Sequence, residues 1–266
     1  MTIIETIRKR KSVRTYTSEP LGQTLRTELE NSMGILNAPF GSKARISLIT
    51  CAKNPSERLK LGTYGFIQGA TDFLALIYEE GHLAEVGAAY MFEQAILHCT
   101  AMGLGTCWLG GSFSRKDFKS QVNLSPNERL RIVSPVGFSS EKVRLVEKII
   151  GGERHHASRK PFGKLFFLNN FNSPLSESHA GKYALPLEMV RLAPSANNTQ
   201  SWRVILNDSR LHFYKSFSYG FSSIDAGIAL CHFEQTCIEL GIKGRYEELP
   251  EVPQNKGNYI ISWIGE

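Results

Sequence analysis

Apolar and polar positions follow helical and strand periods in turn along this 266-residue chain, and the changes of period mark its elements. The first residues predict a short amphipathic helix: Thr2 with Glu5 has the form of a capping box, and Ile4 and Ile7 share one side. Residues 8–11 close its last turn with positive charge. Leu25, Leu29, Met33 and Leu36 keep the helical spacing and run into Ala38-Pro39. Strand-like stretches follow at 45–49, 72–78, 130–138, 203–206, 211–215 and 259–264. They alternate with helices, which argues α+β or α/β layers.

The order of these elements repeats, although the repeat is weak at the level of residues. A helix runs into Ala38-Pro39, a loop and the strand at 45–49; later 187–192 runs into Ala193-Pro194, a loop and the strand at 203–206. Gly87-Ala88-Ala89 precedes Phe92-Glu93-Gln94 in a long helix ending near Gly103, and Gly227-Ile228-Ala229 precedes Phe233-Glu234-Gln235 in another ending near Gly241. Spacing slips by one residue between these copies, and two apolar helices can also share such a pattern by coincidence. Residues 153–182, rich in Asn, Ser and basic side chains, read as the connection.

Composition adds limits. With 42% hydrophobic and 21% charged residues the chain can bury a sizeable core in one large domain or two small ones. No apolar run reaches the ~18 residues that span a bilayer, and residues 1–5 lack a basic-then-apolar signal pattern, so no membrane partner and a cytoplasmic location are expected. Cys51, Cys99, Cys107, Cys231 and Cys237 form no Cys-x-x-Cys pair; they read as buried small hydrophobes, with no metal site. The net charge of +6 gathers in two compact clusters, 8–14 and 154–164, the latter with His155, His156, Arg159 and Lys160. Without a long basic stripe and interleaved aromatics, a small anionic ligand explains them better than nucleic acid.

Candidate chemistry lies in two distant segments. In Arg10-Lys11-Ser12-Val13-Arg14, extension after Ser12 puts Ser12 and Arg14 on one side with Arg10 nearby, so that an anion could meet two guanidinium forks and a hydroxyl. Taken alone the same run also fits a solvated helix end. Pro194-Ser195-Ala196-Asn197-Asn198-Thr199-Gln200-Ser201-Trp202 is the second segment. His98 and His232 lie on apolar helices and read as core residues.

Taken together the motifs resemble the flavin-dependent nitroreductase superfamily. Arg10, Ser12, Arg14 and Tyr16 match its first signature; Pro194, Ser195, Asn198, Gln200 and Trp202 approach the second. Gly103-Leu104-Gly105-Thr106 with Leu109, Gly110 and Gly111 match a third, and Arg159-Lys160-Pro161 a fourth. Ser201 stands where the family often has proline. The resemblance implies an α+β nitroreductase-like fold, with antiparallel-rich mixed sheets, surrounding helices and two pseudo-repeated halves.

The stretch 38–45 has lost the Asn, Gln and Trp of the second signature, and 170–186 holds no counterpart of the first. The resemblance therefore implies a single-chain branch in which one monomer imitates the family dimer: a half at 1–165, a half at 166–266 and one composite FMN site. Arg10, Ser12 and Arg159 are expected at the phosphate, with Arg14 near the pyrimidine edge and Lys11 counted among the cofactor-binding residues. Leu109, Gly110 and Gly111 are expected near N5 through backbone N–H groups, and Pro194, Ser195 and Ala196 along the ring. Asn198 and Gln200 organise that loop. Hydride would pass from NADH or NADPH through FMN to a nitro, quinone or related conjugated acceptor, with no catalytic side chain. Flavin binding or sequestration with little turnover, and a member without flavin, stay open as alternatives.

Overall fold

The computed structural model describes residues 1–51, 61–141, 158–215, 220–253 and 258–266, so His155, His156 and Arg154 lie outside the described residues. The chain opens with α1 (Ile3–Lys9). The capping box is formed: Thr2 N–H donates to Glu5 Oε2 at 2.9 Å and Glu5 N–H to Thr2 Oγ1 at 3.2 Å. Glu239 adds a second cap, its Oε2 accepting from the N–H groups of Ile3 and Ile4.

Two compact units make up the chain: Lys9–Ala157, and Met1–Arg8 with Ser158–Glu266. The break falls before Ser158 rather than at 165–166, and the first eight residues group with the second half.

In the Lys9–Ala157 unit, α2 (Gln23–Gly34) precedes β1 (Ala44–Thr50), β2 (Asp72–Glu79), α3 (Ala84–Ala101), β3 (Gly105–Thr106), α4 (Arg115–Lys119) and β4 (Glu128–Gly137). The strands form one antiparallel sheet in the order β1-β2-β4-β3. Central β2 is buried on both faces, which is why Asp72-Phe73-Leu74-Ala75-Leu76-Ile77-Tyr78 reads as an apolar run rather than an alternation. Phe73, Ala75 and Ile77 pack into a cluster with Phe113 and with Phe118 of α4, Phe73 and Phe118 meeting edge to face at 5.1 Å. The opposite face receives α3, where Tyr78 donates to Glu85 at 2.9 Å. Asp72, at the start of β2 and fully buried, is held by Arg26 of α2 at 2.7 Å, by the Thr50 and Thr71 hydroxyls and by Leu21 N–H.

The other unit repeats this plan. After the short α5 (Phe162–Leu165), β5 (Phe166–Leu168), α6 (Glu177–Ala180) and α7 (Ala184–Leu192) come β6 (Trp202–Asn207), β7 (Arg210–Lys215), α8 (Ser222–Glu239), β8 (Gly244–Glu247) and β9 (Asn258–Gly265). Strand order is β5-β6-β7-β9-β8, antiparallel except that β5 joins β6 in parallel. Without β5, the order and directions match the first sheet. An aromatic cluster fills the core, Phe233 lying 5.3 Å from Phe213 and 5.4 Å from Trp263.

Helix ends align the two copies better than sequence similarity does. Ala84–Ala101 and Ser222–Glu239 each hold 18 residues and each is followed by a left-handed glycine, Gly103 and Gly241. Leu104 N–H donates to Cys99 O and Ile242 N–H to Cys237 O, both at 2.8 Å. In this register Gly87 corresponds to Asp225, so the pairing of Gly87 with Gly227 and of Phe92 with Phe233 suggested by sequence is displaced by two and three residues. Apolar helices offer many false registers.

Ser12-Val13-Arg14-Thr15-Tyr16 runs extended beside the first sheet. Val13 N–H donates to Thr106 O at 2.8 Å, and Gln68 exchanges bonds with Arg14 and Tyr16. Gly105 is required there, because a Cβ would lie 2.8 Å from Val13 Cγ2. Gly105→Ala is expected to lose about 1–3 kcal/mol of stability through overpacking. A urea midpoint unchanged from wild type would contradict that contact.

Candidate flavin-binding motifs

Alternation around Arg14 is as predicted: Ser12 and Arg14 are half-buried while Val13 and Thr15 turn inward. Arg10 differs from the expected wet helix end. Only 4% of it is exposed, and its Nη1 has no hydrogen-bond partner among the described residues. Burial lowers the guanidinium pKa; Glu93 and Cys107 oppose that shift and Arg14 adds to it, so these groups share one neighbourhood. Lys11 is exposed.

Glu93, itself fully buried in α3, accepts from Trp108 Nε1 at 2.8 Å and thereby fixes the side chain that precedes the Leu109-Gly110-Gly111 stretch. One of the three backbone N–H groups in this stretch is already engaged within the sheet. Leu109 N–H is committed to Val133 O at 2.9 Å, in a bridge that Val133 N–H returns at 3.1 Å. Gly110 is half-buried and Gly111 exposed, with open space where a Cβ of Gly111 would stand.

In the other unit Arg159, Asn198 and Gln200 come together. Arg159 donates to Asn198 Oδ1 at 2.5 Å and to Leu192 O, the last carbonyl of α7, at 3.0 Å. Asn198 Nδ2 reaches Ser158 O and Oγ at 3.1 Å. Gln200 accepts from Lys160 N–H at 2.8 Å, donates to Asn198 O at 3.0 Å, and has its own N–H bound to Ser195 Oγ at 2.9 Å. Asn198 and Gln200 thus tie residues of this loop to one another and to Ser158, Arg159 and Lys160. Pro194 is buried, and Ser195 and Ala196 are half-buried. Arg10, Ser12, Arg14, Gly110 and Gly111 belong to one unit, and Arg159 with residues 194–200 to the other.

Sequence reasoning missed Asp225. This carboxylate, 1% exposed in the first turn of α8, accepts from Ala196 N–H at 2.9 Å, Ser201 Oγ at 3.0 Å and Thr199 Oγ1 at 3.3 Å. A lone acid near a helix start is so common that nothing marked it. Burial raises its pKa from 3.8 to about 6, although all three hydrogen bonds act in the opposite direction. Nearby cations are engaged elsewhere: Lys160 Nζ with Thr199 O, Arg203 with Gln200 O and Lys215 with Ser223.

The family model described as "Putative TM nitroreductase" matches residues 2–237, and the chain belongs to this nitroreductase family. A nitroreductase structure from Thermotoga maritima shares the fold with a TM-score of 0.64 at 20% identity, over 99% of this chain and 94% of that one. A nitroreductase family protein from Clostridium difficile gives 0.47 at 17%, over 62% and 96% of the two chains. An FMN-bound nitroreductase from Bacteroides fragilis gives 0.42 at 16%, over 55% and 92%. No curated protein matches the sequence. Among the described residues no helix is long and apolar enough to cross a membrane, and no cluster suited to a metal is found.

The raised pKa of Asp225 has a defined sign. Its favourable contribution is full below 3.8 and is lost as pH rises through about 6. Wild type is therefore expected to gain stability relative to Asp225→Asn as pH falls from 7 to 4, by at most about 3 kcal/mol. Denaturant unfolding of both proteins across that range checks this, and a difference that does not vary with pH would contradict it.

Proposed function

We propose that this chain is an FMN-dependent oxidoreductase acting on a small conjugated acceptor. The observation that carries the reading is the Arg10 guanidinium, buried with an unpartnered Nη1 beside Ser12 and Arg14. A buried cationic donor left unsatisfied is costly, and an anion such as a phosphate removes that cost. The residues fit FMN in kind. Arg10 and Ser12 supply phosphate donors, with Lys11 adding charge at the surface, and Arg14 provides a cation for the pyrimidine edge. Gly110 and Gly111 offer backbone N–H groups, and in the other unit Pro194, Ser195 and Ala196 are small residues suited to a flat ring.

Arg159 orders the Asn198 loop through two of its own hydrogen bonds. When bound, FMN supplies hydride transfer from NADH or NADPH to a nitro, quinone or related acceptor. The side chains hold and orient, and no amino-acid acid or nucleophile is assigned. Each signature occurs once in the chain, which favours one flavin per monomer.

Purified protein is expected to be yellow, with about one FMN per chain, and to bleach with NADH or NADPH without air; protein that stays colourless after FMN is added would overturn the reading. Arg10→Lys keeps a positive charge near Glu93 and loses the guanidinium fork. FMN affinity should fall about tenfold while the melting temperature changes by only a few degrees. Unchanged affinity, measured by flavin fluorescence quenching, would remove Arg10 from the phosphate.

A further inference from the structure

The two copies of the repeat treat the loops that enter β1 and β6 differently, and the difference falls on one position. In the first copy that position is Gly87. A Cβ there would collide with the Pro39 carbonyl oxygen and the Ser42 hydroxyl and would lie 2.8 Å from Ser42 Cβ, so the 38–42 loop rests directly on the helix backbone. In the second copy the matching residue is Asp225. Its carboxylate fills the gap and bonds to three points of the loop, at residues 196, 199 and 201.

That loop is strained. Asn197, Asn198 and Gln200 all have positive φ, at 49°, 57° and 46°. Left-handed backbone is disfavoured in every residue bearing a Cβ, least so in Asn, and persists only where neighbouring contacts over-determine it. Gln200, the least suited of the three, is 1% exposed, and its N–H is bound to Ser195. On the helix side three hydrogen bonds from the loop converge on Asp225, at both of its carboxylate oxygens.

We infer that Asp225 is a positioning residue that holds residues 196–201 in their strained, ligand-ready shape, and that its replacement by Gly87 in the other copy marks the copy whose loop gave up that shape. The flavin part of this inference rests on the function proposed above; the loop part does not.

Amide hydrogen exchange on flavin-free, full-length protein tests the loop part, with FMN titration of the same samples as the second arm. In Asp225→Ala, exchange at Ala196 and at residues 198–200 should accelerate at least tenfold while β7 and the last turns of α8 keep wild-type protection. FMN binding should weaken about tenfold or more, because the loop must then be ordered on binding. Asp225→Asn, which keeps one acceptor oxygen, should fall between. If Asp225→Ala does not fold, Asp225→Asn and the pair Thr199→Val with Ser201→Ala carry the same test.

Unchanged exchange at 196–200 in folded variants would overturn the inference. Faster exchange with unchanged FMN affinity would overturn its flavin part. If wild-type protein binds no FMN, the proposed function fails, while the exchange data still decide whether Asp225 holds the loop.

Discussion

Each unit has to enclose an 18-residue helix that is apolar on nearly every side, and most of its remaining design follows from that constraint. In α3 the buried residues include Gly87, Ala88, Ala89, Phe92, Glu93, Ile96 and Cys99; α8 is buried to a similar degree. Such a helix gains little from one covered face and must be wrapped. A sheet covers one side, a shorter helix another, and the loop entering the first strand is pulled across the first turns. At that crossing there is room for no side chain, as at Gly87, or for one that bonds to whatever covers it, as at Asp225. Packing thus decides which helix position can govern the loop.

A second consequence concerns charge. Wrapping α3 buries Glu93, to which Trp108 just after β3 donates and beside which Arg10 lies. Arg10 is buried rather than solvated, and its Nη1 has no hydrogen-bond partner among the described residues. Removing it outright would take a cation from beside a buried carboxylate, which links the stability of the fold to the residue best suited to an anion. A substitution that keeps the charge separates the two roles.

What the sequence revealed was local. The Thr2–Glu5 capping box is complete within four residues and could be read directly, as could the apolar run of β2 and the alternation of Ser12 and Arg14 with Val13 and Thr15. β3, β5 and β8 escaped notice: they span two to four residues, and Gly105 and Gly244 have no strand preference of their own. The burial of Arg10 was hidden because residues 8–11 look like any basic helix end, and neighbours such as Glu93 and Cys107 lie more than eighty residues away. Leu109 was read as a ligand contact for lack of any sign that Val133 would claim its amide. Asp225 was silent for the same reason, since its partners lie about twenty-five residues earlier.

The repeat shows how one topology supports two kinds of loop. Phe40 and Gly41 are left-handed in the first copy as Asn197 and Asn198 are in the second, so the turn itself survives in both. Its support has changed in character. Phe40 packs edge to face with Tyr90 of α3 at 6.4 Å, and Ser42 bonds to Leu83 O, so apolar contact and close approach over Gly87 hold the loop shut. In the second copy a carboxylate, a guanidinium and two amides hold the loop through hydrogen bonds, which fix direction as well as distance. A loop fixed in that way can keep small residues such as Ser195 and Ala196 at its surface without depending on them for its shape, whereas one closed by packing spends its side chains on staying closed.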